Sequence, residues 1–313
     1  MSTGIQRPAE APDVDVPTKP RRDTRAALIM IAPALLGLLA AVVIPFVAAG
    51  WLSMHNIRLN SPRPPVWFGV EQYRRILTDP EFYRALGNNF LFAAVVVPVQ
   101  TALALGLAML LNQPLRAMSV FRTFFFMPVV FPMALVSVIW KLMYSRDSLG
   151  MFNALLNWLS FGHIPPIDWL GSSSTAMLSI IIMSIWQGVG FQMIILLAGL
   201  QGIPTSLYEA ARIDKANKFQ QFLNITIPGL RNTLIFVVMV TTIFAFRLFD
   251  QVYILTQGGP NGATTTVMYQ AVTSAFAENN VGRGAAITVV FFVIVLTITI
   301  IQRRLLREER EVA

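Results

Sequence analysis

Ionisable groups are scarce in this chain, and the few that interrupt its apolar stretches are where chemistry could be done. Arg247 and Asp250 stand three residues apart inside the run that ends at Leu255. That spacing puts both on one helical face, where they can pair, and an ionisable pair in an apolar medium either walls a hydrophilic path or ties a helix to a neighbour. Gln187 and Gln192 flank Gly188 and Gly190 beside Trp186. Amides hydrogen-bond hydroxyl groups, an indole offers an apolar face, and glycines leave room for a bend or a bound group; the same residues are also ordinary glue between packed helices. Asn88, Asn89 and Gln100 form a further set of this kind. No catalytic residue is expected: cysteine is absent, His55 and His163 have no ligand spacing and so suggest no metal site, and the apolar runs hold neither paired carboxylates nor a Ser/His arrangement.

The elements carrying these residues belong in a bilayer. Of the 313 residues 55% are apolar and only 13% charged, too apolar for a chain that must face water. Six runs approach the roughly 20 apolar residues that a spanning helix needs: 26–52, 86–111, 123–144, 175–200, 232–255 and 284–301. They are too long for outer-membrane barrel strands and lack a period of two, so the expected fold is an all-α integral membrane protein with six transmembrane helices. Six spans leave both termini on one side. Fifteen Lys and Arg residues then fall inside and eight outside if that side is the cytoplasm, which favours termini inside. The net charge of +8 is scattered between spans, with no basic aromatic face for nucleic acid. Residues 1–25 read as a flexible cytoplasmic tail, 26–85 as the first span and an outside loop, 86–302 as the core, and 303–313 as a cytoplasmic C-tail. The first run is too long for a signal-peptide core and stays as an anchor. Outside, residues 149–161 suit a short interfacial helix anchored by Trp158, or a plain loop.

Between the fourth and fifth runs, residues 204–228 read as two short amphipathic helices on the inside. Ser206 precedes Glu209 by three residues, the spacing of a capping box, and Leu207, Ala210, Ala211 and Asp214 share one face. Glu209 either caps its own helix or meets a partner. Connecting two spans needs only a few residues, so a pair of exposed helices argues for an inside partner.

The run Glu209-Ala210-Ala211, followed by Asp214, Ala216, Phe219, Phe222 and Pro228, resembles the EAA signature of binding-protein-dependent ABC importer permeases. Phe68-Gly69-Val70 with Tyr73, and Phe249-Asp250 with Tyr253 through Leu255-Thr256-Gln257-Gly258-Gly259-Pro260 and Thr264, resemble the carbohydrate-uptake branch, the maltose and glycerol-3-phosphate permeases. The resemblance covers nearly all of the chain past residue 25. It implies a type I importer transmembrane domain in the bacterial inner membrane, in which Glu209, Ala210, Ala211, Asp214, Lys215 and Ala216 couple to a cytoplasmic ATPase dimer and Gly258-Gly259-Pro260 faces an extracytoplasmic substrate-binding protein. A second, homologous permease completes the path, and alternating access carries a sugar or, as the alternative, glycerol-3-phosphate or a glycerophosphodiester. This chain has no G-x-x-x-x-G-K-[ST] loop, so ATP and Mg belong to the ATPase. Lys215 replaces the family's usual glycine, at a cost if the position takes positive φ. A self-contained secondary transporter is the alternative of another class, but no inverted repeat or acidic ion site supports it.

Overall fold

The computed structural model describes residues 24–62, 64–113, 118–147 and 150–305. Most of the expected N-tail, Arg116 and residues 306–313 of the expected C-tail lie outside that range.

Residues up to Ala48 and from Ala49 onward form two compact units. The first holds α1 (Thr24–Leu38), a π-helical turn at Leu39–Val43 and the start of α2 (Ile44–Ser53). No described side chain up to Ala48 is buried, though nearly all are apolar. A helix apolar all round is at home in lipid or against another protein.

The second unit contains α3 (Glu71–Leu77), α4 (Pro80–Leu111), α5 (Met118–Val130), α6 (Met133–Met143), α7 (Met151–Leu159), α8 (Ala176–Gln201), α9 (Thr205–Ile213), α10 (Lys218–Gln221), α11 (Ile227–Gly229), α12 (Arg231–Phe246), α13 (Asp250–Leu255), α14 (Val267–Val272) and α15 (Val281–Leu305). A two-residue antiparallel ribbon pairs His55 with Trp67 and Asn56 with Val66. Long α4 and α8 form the spine. Ala85, Ala104 and Ala108 of α4 are fully buried, and Ile180, Met183, Met193 and Leu196 of α8 pack into the same cores. Small residues on one helix admit large ones from the other, which is how helices approach closely where lipid supplies no hydrophobic drive.

Among the described residues five helices are long and apolar enough to cross a membrane, and the sixth expected span is the bent pair α5–α6, at 96°. The run 123–144 is therefore not one straight helix. Pro132 brings no N–H to continue α5 and disfavours the helical conformation at Phe131, so α6 restarts at Met133 with Pro132 as its N-cap. The fifth run is also interrupted: α12 stops at Phe246 and α13 starts at Asp250. Where residues 149–161 read as either a short helix or a loop, Met151–Leu159 form a helix, α7. Its Phe152 stacks on Tyr144 at 4.8 Å while Trp158 remains 73% exposed.

Candidate functional site

The helix pair within residues 204–228 departs from its expected start. The capping box of Ser206 and Glu209 does not form: α9 begins at Thr205 behind its N-cap Pro204, with no side-chain cap, so Ser206 lies two residues past the capping position. A capping box forms instead at α10, where Asn217 and Gln220 exchange bonds of 2.8 Å. Between the helices, Lys215 has φ +57, the left-handed conformation that glycine takes freely. The amide of Ala216 donates to the Ala211 carbonyl at 2.9 Å and that of Lys215 to Arg212 at 3.1 Å, the paired bonds of a Schellman motif. The turn is thus well bonded with lysine in the glycine position. Tyr208 and Thr226 bond through their hydroxyls at 2.9 Å and fasten α9 to the bundle. Outward, Glu209, Ala210, Asp214 and Lys215 are exposed, Ala211 and Ala216 half-buried, and Ile213 and Phe219 are 81% and 67% exposed. Among the described residues the Glu209 carboxylate makes no hydrogen bond or ion pair.

A cavity of about 400 Å³ opens between α4, α5, α8, α12 and α13. Gln187 and Gln192 line it, and Gln100, Ser184, Thr241 and Gln251 join them. Gln192 Nε2 donates to Thr241 Oγ1 at 2.5 Å, Gln251 Nε2 to Ser184 Oγ at 3.4 Å, and Gln187 Nε2 to the Phe131 carbonyl at 3.2 Å. The Gln192 amide oxygen is buried and has no partner among the described residues. Phe92, Phe191 and Phe244 supply apolar surface, and none of the described lining residues is ionisable. Gly188 and Gly190 shape this wall. A Cβ on Gly188 would lie 2.6 Å from Gln100 Nε2, and one on Gly190 would collide with the Phe125 carbonyl of α5. Ser184 stands one turn before Gln187 and Gln251 adjoins Asp250, weak signals that periodicity alone does not raise above those of other polar residues.

Arg247 and Asp250 form no ion pair. They flank the break between α12 and α13 rather than sharing a helical face; both are exposed and neither lines the cavity. Asn89 and Asn88 do not line it either. Asn89, fully buried, donates to the Phe246 carbonyl at 3.2 Å and accepts from the Val267 amide at 2.9 Å, while Asn88 donates to the carbonyls of Gly262 and Thr265. Gly258, Gly259 and Pro260 belong to a loop braced by Thr264 on the Gly259 carbonyl at 2.7 Å and Thr265 on that of Gly258 at 3.0 Å. Gly258 is buried, Gly259 and Pro260 half-buried, and Gln257 and Asn261 reach solvent. On α3, hydrogen bonds from Arg74 and then Arg75 hold the Glu71 carboxyl far below the usual carboxylate range, at about 2, so this small charge cluster persists through all but strongly acid pH.

Apolar helices around an uncharged polar cavity, with an amphipathic helix pair beyond the ends of α8 and α12, define a membrane transport subunit. The chain belongs to the family of binding-protein-dependent transport system inner membrane components, whose model matches residues 100–311. It is a multi-pass inner-membrane permease subunit of an ABC importer, and not an enzyme. It is 36% identical over 290 residues to the trehalose/maltose transport system permease protein MalF of Thermococcus litoralis, spanning 93% of this chain and 96% of that one. The sulfoquinovosyl glycerol transport system permease protein SmoG of Agrobacterium fabrum is 32% identical over 285 residues, 91% of each. A crystal structure of a bacterial ABC transporter that imports the acidic polysaccharide alginate has the same fold, with TM-score 0.77 and 19% identity over 92% of this chain and 98% of that one.

Proposed function

We propose that this permease, with a second homologous permease, forms the path for a neutral sugar, opening alternately to either side. The observation that carries the substrate class is the cavity, whose walls offer amides, hydroxyls and phenyl faces but no charge. A sugar presents hydroxyls that exchange bonds with amides and C–H faces that pack on aromatic rings. The unpartnered oxygen of Gln192, closed off from solvent in this structure, becomes an acceptor for such a hydroxyl when the helices part. Glycerol-3-phosphate or a glycerophosphodiester fits less well, since a phosphate calls for a fixed cation and Arg247 is outside the cavity. The names of the relatives, trehalose/maltose and starch degradation products, agree with a sugar.

In the same proposal, both termini are cytoplasmic, a binding protein delivers the sugar at the outer face, and an ATPase dimer carrying ATP and Mg grips α9 through Glu209, Ala210 and Ala211. Uptake of labelled disaccharides by cells with the complete importer tests the cavity. Gln192→Leu should cut uptake at least about tenfold, the value of a lost bond together with a stranded partner. Undiminished uptake in a Gln192→Leu, Gln251→Leu double variant, or competition by glycerol-3-phosphate and not by disaccharides, sinks the sugar assignment.

A further inference from the structure

A second hollow, of about 630 Å³, lies between the outer ends of α4 and α8 and carries no role in the transport path described above. Its rim is polar, with Arg84, Asn88 and Ser174; deeper in, Leu91, Val95 and Leu178 line it. Leu91 and Val95 follow Arg84 by seven and eleven residues on one helical face, so the wall turns from charged to apolar within roughly 10 Å of depth. Arg84 makes no hydrogen bond or ion pair among the described residues. Its stem runs over Gly262, where an added methyl would stand 3.3 Å from Nη1, and this holds the guanidinium at the rim. Beside it a smaller hollow of about 350 Å³ shares Arg84 and Gly262 and adds Glu81.

We propose that this groove binds one zwitterionic aminophospholipid of the outer leaflet, its phosphate on Arg84, its ammonium toward Glu81 and an acyl chain along Leu91, Val95 and Leu178. The order of groups down the groove is that of a phospholipid: a cation and carboxylate at the level of the headgroups, hydrocarbon below. A guanidinium recognises phosphate bidentately, and the neighbouring carboxylate makes a net-neutral headgroup a better match than an anionic one. A sugar would leave the apolar walls uncovered. A partner helix resembling residues 24–53 has no acidic residue to meet Arg84.

The test is lipid retention by the importer purified through this chain in mild detergent, from cells containing phosphatidylethanolamine and phosphatidylglycerol. Extracted or native mass spectrometry should find one phosphatidylethanolamine per chain. Arg84→Ala should lower it about tenfold, Arg84→Lys restore part of it, and Leu178→Trp displace it by filling the groove while leaving Arg84 in place. Equal retention by wild type and Arg84→Ala overturns the proposal, as does preferential retention of phosphatidylglycerol. So does a disulfide between a cysteine at Leu91 and the second permease, which would show the groove covered by protein.

Discussion

Lys215 holds a conformation in which a side chain costs about 1 kcal/mol relative to glycine, and it does so because the Schellman bonds of Ala216 and Lys215 close α9 only at positive φ. Lys215→Gly should therefore leave the turn and sugar uptake intact and keep stability within about 1 kcal/mol, with relief of strain set against a more flexible unfolded chain. Lys215→Ile, β-branched in the same conformation, should lower the melting temperature of the purified importer and its retention of the ATPase. Glu209 makes the opposite case. With no cap to lose, Glu209→Ala should change stability by no more than about 0.5 kcal/mol, yet reduce ATPase co-purification several-fold. A melting temperature that falls together with retention would show the carboxylate to be structural. The sequence pattern located this glutamate and the turn after it, but put the capping box one helix early. Ser206 has the right spacing, yet Pro204 starts the helix so that Ser206 falls inside it, whereas Asn217 and Gln220 have the same spacing at a true boundary.

At the level of elements, apolar runs located the spans because hydropathy records what a helix touches, but a run is blind to direction. The bend between α5 and α6 has a local cause in Pro132, present in the sequence; the break between α12 and α13 has none, since Arg247-Leu248-Phe249 contains neither proline nor glycine. That break is held from a distance. Asn89 of α4 takes the Phe246 carbonyl, Thr266 takes the Leu248 carbonyl at 2.8 Å, and Leu248 itself is 2% exposed. Carbonyls freed where a helix stops inside a membrane need such partners, so the expected Arg247–Asp250 pair gives way to a site built by residues far apart in sequence. Asn89→Leu leaves the Phe246 carbonyl and the Val267 amide stranded and should destabilise the purified protein by about 2 kcal/mol or more, read as a lowered thermal midpoint. Asn88→Ala, which frees only the half-buried side of the 262–265 loop, should cost clearly less. Equal losses would mean that the break is held by packing alone.

For the whole molecule, the cavity was the least legible feature, because it exists only when Gln100 of α4, Gln192 of α8, Thr241 of α12 and Gln251 of α13 converge, and no single helix displays it. Sidedness is different, for it follows from charge. The basic residues flanking α9 and α10, Arg212, Lys215, Lys218 and Arg231, gather at one end of α8, while the other end leads back to α7 and its exposed Trp158. One span, Ala176–Gln201, separates the two groups, so they must lie on opposite sides of the bilayer. In the orientation proposed above, the positive-inside rule has the α9 end in the cytoplasm. Because the chain has no cysteine, single substitutions report on this cleanly. A cysteine at Ile213, 81% exposed, should react with an impermeant maleimide only in inside-out vesicles, and one at Phe161, 89% exposed, only in intact spheroplasts. The reverse pattern would put α9 out of reach of any cytoplasmic ATPase, and the coupling role of Glu209 would fall with it.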